Sequence, residues 1–365
     1  MYSNQEIEKL LPLGGGWAIR VYFEELIARK IANQSLSFLD VNTVIANSCG
    51  VSAINIIDKI ANITGRKLPK IPAHLHNSEY TGNLPIVEDK SNLPDELTKE
   101  YWIDQLCKFF DTNALSLDKH IQKLKAADKQ TDINSYQIIR DWSFPKLRTL
   151  HNIKNGGQFN VKCIVDELAQ LCWRRWYWED NFKNLYLIYP QNRFAFGNNQ
   201  WLMFSMVHDA AHLLHLTEYP HTCQPSNPNN LAFMEGFAMF SEFRFFELFN
   251  QSYEVEEDLG TAFDTRTARM FNLLGLLERS FRIDYDYDVH LLGCSPQTWI
   301  ERTCKKYNLN SSYFQFAYEF HGLPGLASSY MLGLWSYKKS NNVEDTLAKG
   351  SAHYADLLKL VAEGD

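Results

Sequence analysis

Long apolar runs are missing from this 365-residue sequence, and so are most signatures that assign a chain to a class at once. No stretch approaches the ~18 consecutive apolar residues that a membrane-crossing helix needs. The opening, MYSNQEIEK, is polar and acidic and lacks the basic-then-apolar order of a secretory leader. Seven cysteines (49, 107, 163, 172, 223, 294 and 304) include no CxxC pair, and their number is odd. That argues against a disulfide framework and for reduced thiols, so a cytoplasmic location is expected. There is no basic stripe: the formal charge is −7, and the clusters WRRWYW (173–178) and CKK (304–306) are local. Neither nucleic acid nor a membrane is therefore an expected partner. No internal repeat and no low-complexity tract is visible.

What the chain does have is apolar bulk. Hydrophobic residues make up 45% and aromatics 14%, enough for a large core built mostly of helices. The expected class is all-α, with room for a small β-hairpin where NLYLIYP (184–190) and RFAFG (193–197) could pair. Apolar residues at three-to-four spacing predict helices in EIEKLLPL and WAIRVYFEELIARKIA, from about Asp95 to Phe110, and through FNVKCIVDELAQLCWRRWYWE. GGG (14–16) reads as a turn. The stretch from Leu68 to Leu97 is rich in Pro, Asn and Asp and reads as a long loop, with HLH (74–76) inside it. Two lobes are expected, a helical front lobe over 1–190 and a second over 191–365.

Further helices are predicted in NNQWLMFSMVHDAAHLLHLTEYP, with Asn199 as N-cap, in LAFMEGFAMFSEFRFFELF, and in GTAFDTRTARMFNLLGLLERSFRI. Ser295 as N-cap with Pro296 at the first helical position predicts another start. SSYFQFAYEFHGLPGLASSYMLGLWSYKKS should break at HGLPG, and EDTLAKGSAHYADLLKLV should close the chain as one amphipathic helix.

The informative stretch is VHDAAHLLH (207–215). His208 and His212, four apart, project from one helix face about a turn from each other, a spacing that suits two corners of a tetrahedral zinc site. A chance HxxxH is also common in a chain with eleven histidines. A third ligand is needed, and Glu235, 23 residues after His212, opens EGFAMFSE on the next helix. Glu242 lies seven residues further on, on the same side. Carboxylates in so apolar a helix are costly to bury unless paired or bound to metal.

HxxxH followed by ExxxxxxE resembles the gluzincin metallopeptidases, closest to the thimet-oligopeptidase type and to a bacterial family whose helix reads EGWALYAE. The resemblance implies a two-lobed helical zincin-like fold with a central cleft. It implies His208, His212 and Glu235 as zinc ligands and Glu242 as the support of a ligand. His215 matches a further histidine of the HEFGHxxH form. HGLPGLASSYMLGLWS (321–336) resembles a second family segment, and implies that His321 and Tyr330 face the substrate and steady a developing oxyanion. Gly325 matches as well, whereas Leu326 and Gly333 stand where the family has tyrosines. The likeness spans about residues 200 to 340, under half the chain.

Asp209 stands where the family has its catalytic glutamate. It would accept a proton from a zinc-bound water and pass it to the leaving amine. Its side chain is one methylene shorter, roughly 1–1.5 Å, and a misplacement near 1 Å can cost on the order of a hundredfold in rate. The expected activity is zinc-dependent hydrolysis of an amide bond in a small peptide or amino-acid derivative. Histidine and carboxylate ligands also accept manganese, cobalt or iron. Three alternatives stand beside it: a metalloenzyme tailoring a small molecule, a lapsed zincin scaffold that only binds, and an HD-type phosphohydrolase recruiting His290 and Asp264.

Overall fold

The computed structural model describes residues 84–126, 133–153, 160–166, 175–178, 184–190, 228–249, 265–314, 316–320, 324–340 and 342–363, together with 207, 208, 210–212, 214, 215, 218 and 219. The turn at GGG, the HLH pair, Asn199, RFAFG, Asp209, Asp264 and His321 lie outside the described residues.

The described chain is predominantly helical. Its first helix, α1 (Lys99–Phe110), follows a short 3-10 turn over Asp95–Leu97 and starts where the Thr98 hydroxyl accepts the Tyr101 amide. Trp102 and Leu106, one turn apart, are its buried residues, and the Trp102 indole donates to the Glu96 carbonyl at 2.7 Å. Helices α2 (Ala114–Ala126) and α3 (Ile133–Leu150) follow.

Three strands come next: β1 (Asn160–Asp166), β2 (Arg175–Trp178) and β3 (Asn184–Pro190). They form one sheet in the order β1-β3-β2, with β1 parallel and β2 antiparallel to β3. The expected strand at NLYLIYP is therefore present, but the helix expected through FNVKCIVDELAQLCWRRWYWE is replaced at both ends by strand. The residues there explain it. VKCIV is rich in β-branched side chains and RWYW in aromatics, both of which suit a pleated surface better than a helix.

The remaining helices carry most of the core: α4 (Pro228–Phe249), α5 (Thr265–Tyr285), α6 (Pro296–Tyr307), α7 (Leu326–Lys339), α8 (Val343–Lys349) and α9 (Ser351–Glu363). Ser295 caps α6 by accepting the Thr298 amide at 3.1 Å, and Pro296 occupies its first position, as the sequence predicts. The closing amphipathic helix is two helices instead. Gly350, with φ of 81°, sits in the left-handed region between α8 and α9 and turns the chain there.

Helices α4 and α7 are buried on nearly every side, which is why neither shows a clean apolar stripe. They pack on each other, with α5 and α9 against them. Gly236 of α4 and Gly333 of α7 meet at the crossing. A Cβ on Gly333 would fall 2.5 Å from the Gly236 Cα and 2.0 Å from the Tyr354 hydroxyl of α9. The missing side chains are what let the two backbones come together.

Residues 84–126 share this core. Leu84, Val87, Trp102, Leu106, Leu117 and Ile121 belong to the same apolar cluster as Phe237, Leu277, Phe281 and Met331. Polar ties reinforce the seam: Lys99 pairs with Asp284 at 2.5 Å, Tyr307 donates to Glu100 at 2.8 Å, and the Asn308 amide donates to the Leu115 carbonyl at 2.9 Å.

The start of α7 is held from outside the helix. Asp286, fully buried on a π-helical segment (Asp286–Leu291) that continues α5, accepts the Ser328 amide at 2.6 Å. A carboxylate there meets the N-terminal end of the helix dipole. Burial nevertheless outweighs these hydrogen bonds and raises the Asp286 carboxyl to about 7. No described helix is long and apolar enough to cross a membrane.

Candidate metal centre

Residues 207, 208, 210–212, 214 and 215 are helical. Val207, Ala210, Ala211 and Leu214 are fully buried and form the apolar face that pins this segment to the core. His208 and His212 lie on the adjoining face, with side chains 13% and 14% exposed, so they point into a sheltered space rather than into bulk water. His215, fully buried, packs edge-on against Phe233 and Phe237 of α4 and is a core residue.

Glu235 comes from α4. One of its oxygens lies 3.1 Å from His208 Nε2 and 3.5 Å from His212 Nε2, and the two Nε2 atoms are 2.9 Å apart. Ligand atoms of all three residues lie within 4.8 Å of one another, and among the described residues they are the one group of His, Cys, Asp or Glu so arranged. A tetrahedral zinc with bonds of ~2.0–2.1 Å separates its ligand atoms by ~3.3–3.4 Å, and the spacings here straddle that value.

The chemistry of the donor set agrees with the distances. Among the described residues Glu235 has no lysine or arginine partner, only the two imidazoles. Burial would raise its pKa, but His212 and His208 outweigh that and hold the carboxyl well below its ordinary value. An ionised carboxylate and two ring nitrogens facing one point, largely out of water, are a donor set suited to a cation.

Glu242 plays a different part. It is fully buried, and one of its oxygens meets His208 Nδ1. A carboxylate can only accept, so Nδ1 carries the proton and donates it, and in the neutral ring Nε2 is left with its lone pair toward Glu235 and His212. Burial pushes the His208 ring down, but Glu242 and Glu235 together raise it to about 9. Arg279 of α5 completes the chain by donating to both Glu242 oxygens, at 3.2 and 3.4 Å.

Tyr330, the residue expected to steady an oxyanion, is buried on α7 beneath two guanidinium groups, 4.6 Å from Arg282 and 6.0 Å from Arg279. Arg279 thus links its ring to Glu242 and through Glu242 to His208. Gly325 caps the start of α7. His290, recruited in the phosphohydrolase alternative, sits on the π-helical segment 3.5 Å from Asp286 and outside the histidine group.

Arg279 and Asp286 carry no motif that marks them in the sequence. The signal for Arg279 is its place among the few charges of the apolar stretch MFNLLGLLERSFRI, which require partners, whereas Asp286 lies beyond it in the acidic run DYDYD, where nothing sets it apart from Asp284 and Asp288. Nothing local says which partner each one finds.

No protein-family model matches the chain, and no curated protein matches it. Among solved structures, "the putative lipoprotein from Colwellia psychrerythraea" is similar over 98% of this chain and 69% of its own length, at 13% identity and a TM-score of 0.49.

Proposed function

We propose that the protein is a metal-dependent hydrolase, with zinc held by His208, His212 and Glu235 and an amide bond in a small peptide-like molecule as its substrate. The convergence of two imidazole nitrogens and one carboxylate oxygen from separate segments is the observation that supports this most. When bound, zinc supplies a water acidified to a pKa of about 7 and a positive charge for the carbonyl oxygen.

The chain's own residues do the rest. His208 is aimed by Glu242, which keeps its Nδ1–H occupied. The apolar surroundings exclude bulk water and strengthen every charge interaction inside. Asp209, next to His208 in sequence, is assigned the proton transfer from water to leaving amine. Tyr330 and His321 are assigned to the carbonyl oxygen, an assignment that rests on their resemblance to the family segment.

Metal analysis of the purified chain after zinc is offered tests the foundation. One equivalent in wild type and none in His208→Ala is the expected result, and no stoichiometric zinc in wild type removes the proposal. With zinc restored, Asp209→Asn should lose amide-bond cleavage by about a hundredfold or more. Asp209→Glu should match or exceed wild type. An Asn variant as active as wild type would take the role of base away from Asp209.

A further inference from the structure

We infer that Arg279 is a positioning residue of the metal centre, acting through Glu242 to set the direction of the His208 lone pair. The inference rests on the metal-site reading above, and it concerns a residue that the sequence pattern does not mark.

Three features carry it. Glu242 is fully buried on a helix whose buried neighbours include Phe237, Ala238, Met239, Phe245 and Phe246, so its charge needs a partner inside the protein. Arg279 supplies that partner in a two-pronged form, one guanidinium nitrogen to each carboxylate oxygen. The oxygen that receives the closer prong is also the one that meets His208 Nδ1. Held at both oxygens, the carboxylate cannot rotate about its terminal bond, and its lone pair fixes the plane of the imidazole. The opposite ring nitrogen then faces Glu235 and His212 rather than swinging away.

Arginine is the residue this geometry requires. A lysine carries the same charge but presents a point rather than a planar fork, and cannot hold both oxygens in one orientation. Arg279 is itself kept in place, because its side chain is only 12% exposed and its guanidinium lies over the Tyr330 ring. A metal ligand's supporting partners commonly contribute 10- to 100-fold in affinity, and Arg279 stands one link further out.

The test is zinc affinity of the full chain by competition with a chelator, for wild type, Arg279→Lys, Arg279→Gln, Glu242→Gln and the Glu242→Gln/Arg279→Gln double variant. Arg279→Gln should bind zinc about tenfold more weakly, with Arg279→Lys between it and wild type. The double variant should be no weaker than Glu242→Gln alone, because removing Glu242 leaves Arg279 nothing to act through. A general loss of structure would instead weaken binding in both backgrounds, and that additive result overturns the inference. Affinity unchanged in Arg279→Gln overturns it too, while leaving the metal site standing. Should Arg279→Gln fail to fold, the comparison of Arg279→Lys in the wild-type and Glu242→Gln backgrounds reads the same coupling. Wild type that binds no zinc sinks the site reading itself, a distinguishable failure.

Discussion

Single side chains in this protein are set by what surrounds their polar atoms. His151 of the segment after α3 is 8% exposed, contacts the Ser241 hydroxyl at 2.9 Å, and lies against Phe237 and Phe240. Burial, helped by the charge of Arg244, lowers its pKa to about 4. A histidine depressed in the folded state takes up a proton more readily when unfolded. Its contribution to stability is therefore full above about 6.5 and falls away as pH drops from there toward 4. The shift corresponds to roughly 3 kcal/mol at most. Replacing His151 with Gln should flatten the stability curve between pH 6.5 and 4 by about that amount, as read by urea denaturation across pH. The ring of wild-type His151 should remain neutral at pH 5.5 by NMR.

Elements meet here through close contact rather than through matched stripes. Where α4 crosses α7, Gly333→Ala would place a methyl 2.5 Å from the Gly236 Cα, so a backbone must move. Overpacking of that kind costs about 1–3 kcal/mol. The Tyr354 hydroxyl at the same crossing is buried and has no hydrogen-bond partner among the described residues. Removing such a group relieves desolvation, so Tyr354→Phe should be neutral or stabilising by up to about 1 kcal/mol. In the Gly333→Ala background it should recover only part of the loss, since the Gly236 backbone stays in the way. Thermal melts of the two single variants and the double variant decide this. Because α4 also carries Glu235 and Glu242, a shift at the crossing reaches the proposed metal site, and the Gly333→Ala protein should bind zinc more weakly than wild type.

At the scale of the molecule, described residues from both sides of position 190 meet in one apolar cluster. Residues 84–126 contribute Trp102, Leu106 and Ile121 to the cluster that α4, α5 and α7 build, and Lys99 is tied to Asp284 across the seam. A fragment spanning 191–365 would leave that face of α5 uncovered. Expressed alone, it should lack a cooperative thermal transition and bind a hydrophobic dye, whereas the full chain should do neither. A fragment that melts cooperatively would show that the helices after 190 hold their own core.

Much of this was legible before any coordinates, and the reasons differ by residue. Ser295 and Pro296 announce the start of α6 because capping is a local event, settled within one turn. His208 and His212 share a face because helical spacing alone requires it. Composition and periodicity together place the chain in the mainly helical class. The segments 160–166 and 175–178 are strands where their pattern predicts helix, because short apolar runs look alike in helix and sheet until a partner strand selects one. Glu235 could be nominated from the chain, but its approach to both imidazoles depends on how α4 lies against the histidine segment. Arg279 carries no such mark, since a charge in an apolar helix says only that some partner is needed, and Asp286 is one of three alternating aspartates in DYDYD, of which burial selects one. The linear order therefore determined helical periods, caps and the spacing of the histidine pair, all of which act over a few residues. Tertiary packing alone decided which distant carboxylate faces which nitrogen and which arginine steadies it, because those pairings are made by close-packed helices far apart in the chain.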